Sequence, residues 1–177
     1  MKTSNWMKRS AAIVGSVLMG LTLATAAHAA NPEQVPVEVE FVSPITIAEI
    51  ASLRFGLLDV NLANLETVII APDDSVTDAS SRVLGGTQGA ADLTVTATTA
   101  QSITILVDNV SAATGYTLGT WMCNYAGAGS DSACDGAGYS ETSAASASLL
   151  IGVTLTGNGS AVVGADNSTF DVTINYQ

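Results

Sequence analysis

Thr169-Phe170-Asp171-Val172-Thr173-Ile174-Asn175-Tyr176, followed by Gln177, decides how this chain folds. Phe170, Val172, Ile174 and Tyr176 alternate strictly with Asp171, Thr173 and Asn175, the two-residue period of a strand with one buried face. A strand in that position needs something to pair with, because an unpaired edge invites another chain. The sequence thus points toward assembly, and it leaves open what pairs with this strand.

The same period recurs upstream. Val35, Val37, Val39 and Phe41 alternate with Pro36, Glu38 and Glu40, which predicts a first strand with a polar face. Pro36 lacks a backbone donor and suits an edge or a strand start. Ser43-Pro44 breaks that run, and Ile45-Thr46-Ile47 resumes it. Ala48 to Ser52 reads as a helical turn, after which Leu53, Phe55 and Leu57 alternate with Arg54 and Gly56. Leu65 to Ala71 predicts a buried strand closed by the turn Pro72-Asp73-Asp74-Ser75. Ser80 to Leu84 predicts a short strand before Gly85-Gly86. Leu93, Val95 and Ala97, then Ile103, Ile105 and Val107, predict the two arms of a hairpin. Tyr116 to Asn124 and Leu149 to Leu155 complete the set with the terminal run. No stretch carries the period of an amphipathic helix of several turns. Short strands separated by Gly, Asn and Asp predict an all-β antiparallel sandwich or barrel.

Charge narrows the function. The whole chain has five Lys and Arg, sixteen Asp and Glu and one His, a net charge of −11. Lys2, Lys8 and Arg9 precede the apolar run Ala11 to Ala26, and Ala27-His28-Ala29 has the small-x-small form of a cleavage site. Residues 1–29 therefore read as a signal peptide, and 30–177 as one exported domain with no membrane insertion in the mature form. Cleavage would leave Arg54 and Arg82 against all sixteen carboxylates, a net charge of −14, with no Lys and no His. Such a chain is not expected to grip a phosphate backbone or an anionic membrane. It also lacks the usual general base and the commonest transition-metal ligand, so the expectation is a non-enzymatic protein without a cofactor.

Three constellations remain. Cys123 and Cys134, with ten residues between them, read as one disulfide worth about 3 kcal/mol in an oxidising compartment; a zinc site would need ligands that the chain lacks. Asp73, Asp74 and Asp78, and separately Asp131 and Asp135, offer oxygen ligands of the kind calcium takes, yet Asp is equally the residue of solvated turns, and that reading is favoured. No metal site is assigned. Sixteen acids always offer pairs for glycoside hydrolysis, and sequence cannot show them converging. Trp121, Tyr116, Tyr125 and Tyr139 form either a sugar-binding patch or, as favoured for Trp121, core anchors.

The two terminal runs share one property: each is a strongly alternating strand able to complete a sheet by edge addition. In such augmentation main-chain hydrogen bonds supply affinity and alternate side chains supply specificity. Residues 30–43 are then a candidate donor segment, with Val35, Val37, Val39 and Phe41 donating and Phe170, Val172, Ile174 and Tyr176 lining the accepting edge. A head-to-tail contact that does not close builds a filament. The competing reading packs the first strand within its own domain.

The C-terminus resembles that of chaperone–usher pilins: a penultimate aromatic (Tyr176), an alternating final strand, and Gly164 in the fourteenth place counting back from Gln177. The expected mature chain, over nearly all of its length, also resembles a secreted bacterial domain family of unknown function with an ITI…LxFG…VTxNYQ signature. Here the signature reads Ile45-Thr46-Ile47, Leu53-Arg54-Phe55-Gly56, the glycine-led Gly152-Val153-Thr154-Leu155, and Val172-Thr173-Ile174-Asn175-Tyr176-Gln177. The resemblance implies an immunoglobulin-like, pilin-like antiparallel β-sandwich exported by a Gram-negative bacterium. It further implies a cell-surface fibre or pilus subunit polymerising with itself, with a periplasmic chaperone and an outer-membrane usher as partners. Gly164, Phe170, Val172, Ile174 and Tyr176 would form the acceptor or chaperone contact. One departure stands out: pilins place their disulfide in the first half of the domain, and Cys123 and Cys134 lie in the second. The alternative function is a monomeric secreted binding module for glycan or calcium, using the loop from Trp121 to Tyr139.

Overall fold

A computed structural model describes residues 36–177; Val35 and the expected signal peptide lie outside the described residues. The chain divides between Val39 and Glu40, and residues 40–177 form one compact unit. That unit is all-β. Among the described residues there is no helix, and every strand pairing is antiparallel.

The larger sheet is built on β11 (Ala147–Gly157), the longest strand. Along one side β11 pairs with β8 (Tyr116–Tyr125), which carries the short β9 (Ser132–Ala133). Along its other side the first half of β11 pairs with β6 (Ala91–Thr96), itself edged by β1 (Thr46–Ala51). The second half pairs with β3 (Thr67–Ile70), edged by β4 (Val76–Asp78). The second sheet has the order β10 (Tyr139–Thr142), β7 (Ser102–Asp108), β12 (Asp171–Tyr176). A separate ribbon pairs β2 (Arg54–Leu58) with β5 (Val83–Gly89).

The core fills the space between the two sheets. Leu93 and Val95 of β6, Trp121, Cys123 and Tyr125 of β8, and Leu149, Ile151 and Val153 of β11 meet Ile103, Ile105 and Val107 of β7 and Ile174 of β12. This is an antiparallel sandwich of the immunoglobulin-like kind, its strands alternating inward apolar with outward polar residues. In β8 the alternation changes phase. Tyr116 and Leu118 lean inward, whereas after Thr120 the inward residues are Trp121, Cys123 and Tyr125. Thr120 has φ 55°, and the register against β11 slips between Val153 and Thr154. One extra residue there forms a bulge that re-aims the tryptophan into the core.

Several expectations need correcting. The two runs expected to form a hairpin, Leu93–Ala97 and Ile103–Val107, lie in different sheets as β6 and β7. Ser143 explains the crossover: its buried hydroxyl accepts from the N–H of Gln101 at 3.0 Å and donates to the Thr98 carbonyl, while its backbone N–H donates to the Gln101 carbonyl at 2.8 Å. With the connecting backbone satisfied by a third segment, the two strands need not pair with each other. Ala48 to Ser52, read as a helical turn, falls mainly in β1, because pairing with β6 supplies its backbone partners. The strand expected over residues 80–84 starts at Val83 and continues through Gly85-Gly86. Residues 36–45 form no strand here, so Val37, Val39 and Phe41 of the expected first strand have no ladder partner among the described residues.

Candidate functional site: an open sheet edge

β12 has the face expected of it. Ile174 is buried, Val172 and Tyr176 are half-buried, and Asp171, Thr173 and Asn175 are exposed. Phe170, just before the strand, stacks at a tilt on Trp121 with ring centroids 4.6 Å apart. One edge of β12 pairs with β7 in the register Val172 with Val107, Ile174 with Ile105 and Tyr176 with Ile103. The opposite edge has no strand beside it among the described residues.

The direction of each backbone group follows from one bond. The N–H of Gln177 donates to the Ser102 carbonyl at 3.0 Å, so Gln177 and Ser102 are a hydrogen-bonded pair of the ladder. Hydrogen-bonded and non-bonded pairs alternate in antiparallel sheets, so Asn175, Thr173 and Asp171 also bond toward β7. The N–H and C=O groups of Val172, Ile174 and Tyr176 therefore point to the open side. No backbone hydrogen bond from another described segment reaches them. The three residues that face the core also carry the ladder groups left without a partner among the described residues.

At the far end of this edge, Tyr176 ties the sheets together. Its phenol accepts from the N–H of Thr98 at 2.8 Å and donates to the Ser43 carbonyl at 2.8 Å. The N–H of Ser43 in turn donates to Oγ1 of Thr98 at 2.7 Å, and Gln101 donates to the Glu40 carboxylate at 2.6 Å. Val42, Ser43, Pro44 and Ile45 thus form one wall, and Ile174, Asn175 and Tyr176 the other, of a shallow hollow of about 370 Å³. The hollow lies between the segment that enters β1 and the last residues of β12.

The start of β12 is held as firmly. Thr169 exchanges bonds with Ser111, its N–H donating to the hydroxyl at 2.7 Å and its carbonyl accepting from the N–H at 2.8 Å. The N–H of Thr114 donates to Asp166, and Tyr116 and Ser168 share a hydroxyl–hydroxyl bond. Gly164 sits in this loop, exposed, with φ 142°; it is not on the β12 edge with Val172, Ile174 and Tyr176. Val162 and Val163 beside it are also exposed.

Of the donor residues, Val35 lies outside the described residues. Val37, Val39 and Phe41 are 84%, 67% and 90% exposed, apolar side chains left in water. The sequence did not foresee the parts played by Ser43, Thr98, Glu40 and Gln101. The only hint was the penultimate tyrosine, an aromatic side chain with a polar tip that seeks a partner when partly buried.

The disulfide joins Cys123 and Cys134, both fully buried. Its surroundings link the sheets: the N–H of Cys134 donates to the Trp121 carbonyl, and its carbonyl accepts from Val107 on β7. Trp121 and Tyr125 are in the core, so their faces are not on offer to a sugar. Burial pushes the Tyr139 phenol far above its ordinary range, with the negative charge of Glu141 adding to the effect.

The loop carboxylates are engaged with their own turns. Asp73 accepts from the Ser75 N–H, Asp74 from the Ala90 N–H, and Asp78 from the Val83 N–H. Asp131 accepts from the Asn124 amide and Asp135 from the Trp121 N–H. Arg82 bonds Glu66 at 2.7 and 2.8 Å and Asp59 at 3.3 Å; the Glu66 carboxyl is held below its usual range by Arg82 and then by the Ala63 N–H, and that of Asp59 by the Asn61 N–H first and by Arg82 after it.

A family described as a domain of unknown function matches residues 45–176, from the residue before β1 to the end of β12. No curated protein and no solved structure matches the chain.

Proposed function

The chain belongs to the DUF4402 family, and we propose that it is a non-enzymatic structural subunit of an exported fibre, polymerising with copies of itself by β-strand donation. The observation that carries this reading is the open edge of β12. Val172, Ile174 and Tyr176 present unpaired ladder groups along a flank of the core, and an exposed edge of this kind is a template for another strand. The apolar alternation of Val37, Val39 and Phe41, exposed in its own chain, has the complementary character. Residues 30–43 of one copy add to β12 of the next. Main-chain bonds then give affinity, and the alternate side chains reach the core flank. Each copy offers one donor and one edge, so the contact is heterologous and propagates.

Export by a signal peptide, and a periplasmic chaperone that covers β12 before assembly, belong to the same proposal. They rest on the resemblance of the last strand to that of pilins and on the reading of residues 1–29. Deleting residues 30–42 tests the function. The truncated chain should be secreted and folded yet form no filaments under the electron microscope; polymers equal to those of the parent would reject strand donation by this segment.

A further inference from the structure

We propose that Glu49 and Glu141 close the β1 and β10 edges to strand addition, leaving β12 as the edge that accepts a second copy. The inference rests on the strand-donation reading for the partner it excludes, a strand of another copy, and adds to it what directs that strand to β12.

Among the described residues, each sheet ends in strands with a free side. In the larger sheet these are β1, β4 and β9, and in the second sheet β10 and β12; β2 and β5 pair only with each other. A free side invites another chain unless the sequence blunts it. β4 and β9 are three and two residues long, too short to template a ladder. The β2–β5 ribbon slips register on both sides of Leu57, with Gly56 at φ 74° beside it and Gly85 opposite, so it offers no even row of groups. β1 and β10, of six and four residues, need another device.

The register shows that device. Directly opposed residues of an antiparallel pair share a face. Ile47 lies opposite Val95 and Glu49 opposite Leu93, and both partners belong to the core, so Glu49 stands on the core face of β1. Tyr139 lies opposite Ile105 and Glu141 opposite Ile103, again core residues, so Glu141 stands on the core face of β10. Each puts a carboxylate where the strand pattern calls for an apolar side chain. At the rim of the sandwich that is tolerable: Glu49 is exposed and accepts from the Ser52 hydroxyl, and Glu141 is half-buried.

A strand added outside either edge would cut off that access to water. An ionised carboxylate enclosed without a cationic partner is costly. Beyond Arg9 the chain's only cations are Arg54 and Arg82, and Arg82 is engaged by Glu66 and Asp59. The donor segment, residues 30–43, has no Lys or Arg and brings Glu33, Glu38 and Glu40, so it would add repulsion. In β1 the register shift between Glu49 and Ala51 also leaves Ile50 as the extra residue of a bulge, which breaks the outer row. β12 carries neither obstacle. Its register against β7 runs unbroken from Asp171 to Tyr176, and Val172, Ile174 and Tyr176, on its core face, are uncharged.

The test uses the full chain, its Glu49→Val and Glu141→Val variants, and an excess of a synthetic peptide of residues 30–42 to occupy β12. With the peptide present, the parent should sediment as a monomer, and each valine variant should self-associate roughly tenfold more tightly or better, because no charge is enclosed. Glu49→Asp and Glu141→Asp, which keep the charge, should behave as the parent. Exchange of alternate amides should slow in β1 of Glu49→Val and in β10 of Glu141→Val, the mark of a ladder on the outer side. Valine variants as monomeric as the parent overturn the proposal, and so does association that leaves those amides as fast as before. Where a valine variant fails to fold, Glu→Gln at the same position keeps the shape and is read by the same two outcomes. Strand donation is read separately, from the parent without peptide. A chain that stays monomeric there sinks that reading, while the valine variants still decide whether the two glutamates guard their edges.

Discussion

The phenol of Tyr176 donates a hydrogen bond to the carbonyl oxygen of Ser43 at 2.8 Å, joining the last strand to the segment that enters the first one, 133 residues earlier. The phenolic oxygen of Tyr176 also accepts from the Thr98 N–H, so one hydroxyl satisfies two backbone groups from two other segments. Tyr176→Phe removes it without changing the ring. A backbone group left partly buried and unpaired costs about 1–3 kcal/mol, so the variant should lose about 1–2 kcal/mol in urea denaturation. A change of only a few tenths would show that water replaces the hydroxyl and that the knot does not hold the flank.

Gly152 lies where β11 hands over from β6 to β3. A Cβ there would collide with the backbone of Ile70 and Ala71 and with the ring of Pro72, whereas one at Gly119 would meet nothing. Gly152→Ala should therefore cost about 1–3 kcal/mol, the usual range for overpacking, and Gly119→Ala should fall within about 0.5 kcal/mol of the parent. Thermal unfolding of the two variants side by side decides the matter. Equal effects would mean that β3 moves aside freely.

These particulars show what the sequence could and could not carry. The strict alternation of Phe170 to Tyr176 gave the buried face of β12, and the patterned runs around Leu93, Ile105 and Leu149 gave strands, because a two-residue period is a local property. Pairing is not local. Leu93–Ala97 and Ile103–Val107 looked like hairpin arms, but Ser143, more than forty residues from Thr98 and Gln101, satisfies their connection and sends them to different sheets. The bulge at Thr120 escaped for a related reason: it is visible only as a register slip against β11. The donor residues were legible as an apolar alternation, and that Val37, Val39 and Phe41 have no ladder partner among the described residues emerged only in the folded chain.

Cys123 and Cys134 close a loop of sequence separation 11. Chain-entropy arguments give about 3 kcal/mol for a loop of that size. Because both side chains are fully buried, so that alanines also leave space in the core, the double Cys123→Ala/Cys134→Ala variant should lose at least that much in guanidinium denaturation. A loss below about 1 kcal/mol would show that the β8–β9 pairing alone holds the loop.

Acid should unfold the domain through a small set of carboxyls. Glu66 is held below its usual range by the Arg82 guanidinium, Asp59 by the Asn61 N–H and then by Arg82, Asp73 by Ser75, and Asp78 by the N–H groups of Arg82 and Val83. A depressed folded pKa gives stability that is complete above the unfolded value and is lost as pH falls through the folded one. The melting temperature should therefore begin to drop below about pH 4.5, where unfolded carboxyls start to bind protons. Arg82→Gln should make this acid limb shallower mainly by removing the Arg82 bond to Glu66, leaving the Asn61 bond to Asp59 and the parts due to Asp73 and Asp78. Tyr139 sets the other limb. Its folded pKa is raised by burial, so stability should fall as pH rises above about 10, where the unfolded phenol ionises. A Tyr139→Phe variant with an unchanged alkaline limb would contradict that origin.

The open edge of β12 makes the sharpest prediction, one that needs no mutation. Amide exchange follows hydrogen bonding residue by residue, since an amide must open before it exchanges. In the monomer the N–H groups of Thr173, Asn175 and Gln177 point to β7 and should be protected, whereas those of Val172, Ile174 and Tyr176 point outward and should exchange quickly. Neighbours along one short strand would thus differ in alternation, a pattern that general fraying cannot produce because fraying grades smoothly toward an end. When a donor strand adds, its carbonyls should capture the outward amides, and the alternation should vanish as all six become slow. Deuterium exchange read by NMR in the monomer, and by quenched dissolution of the filament, gives both states. Uniform protection in the monomer would mean that something already covers the edge, and persistent fast exchange of Val172, Ile174 and Tyr176 in the filament would mean that the polymer is held together elsewhere.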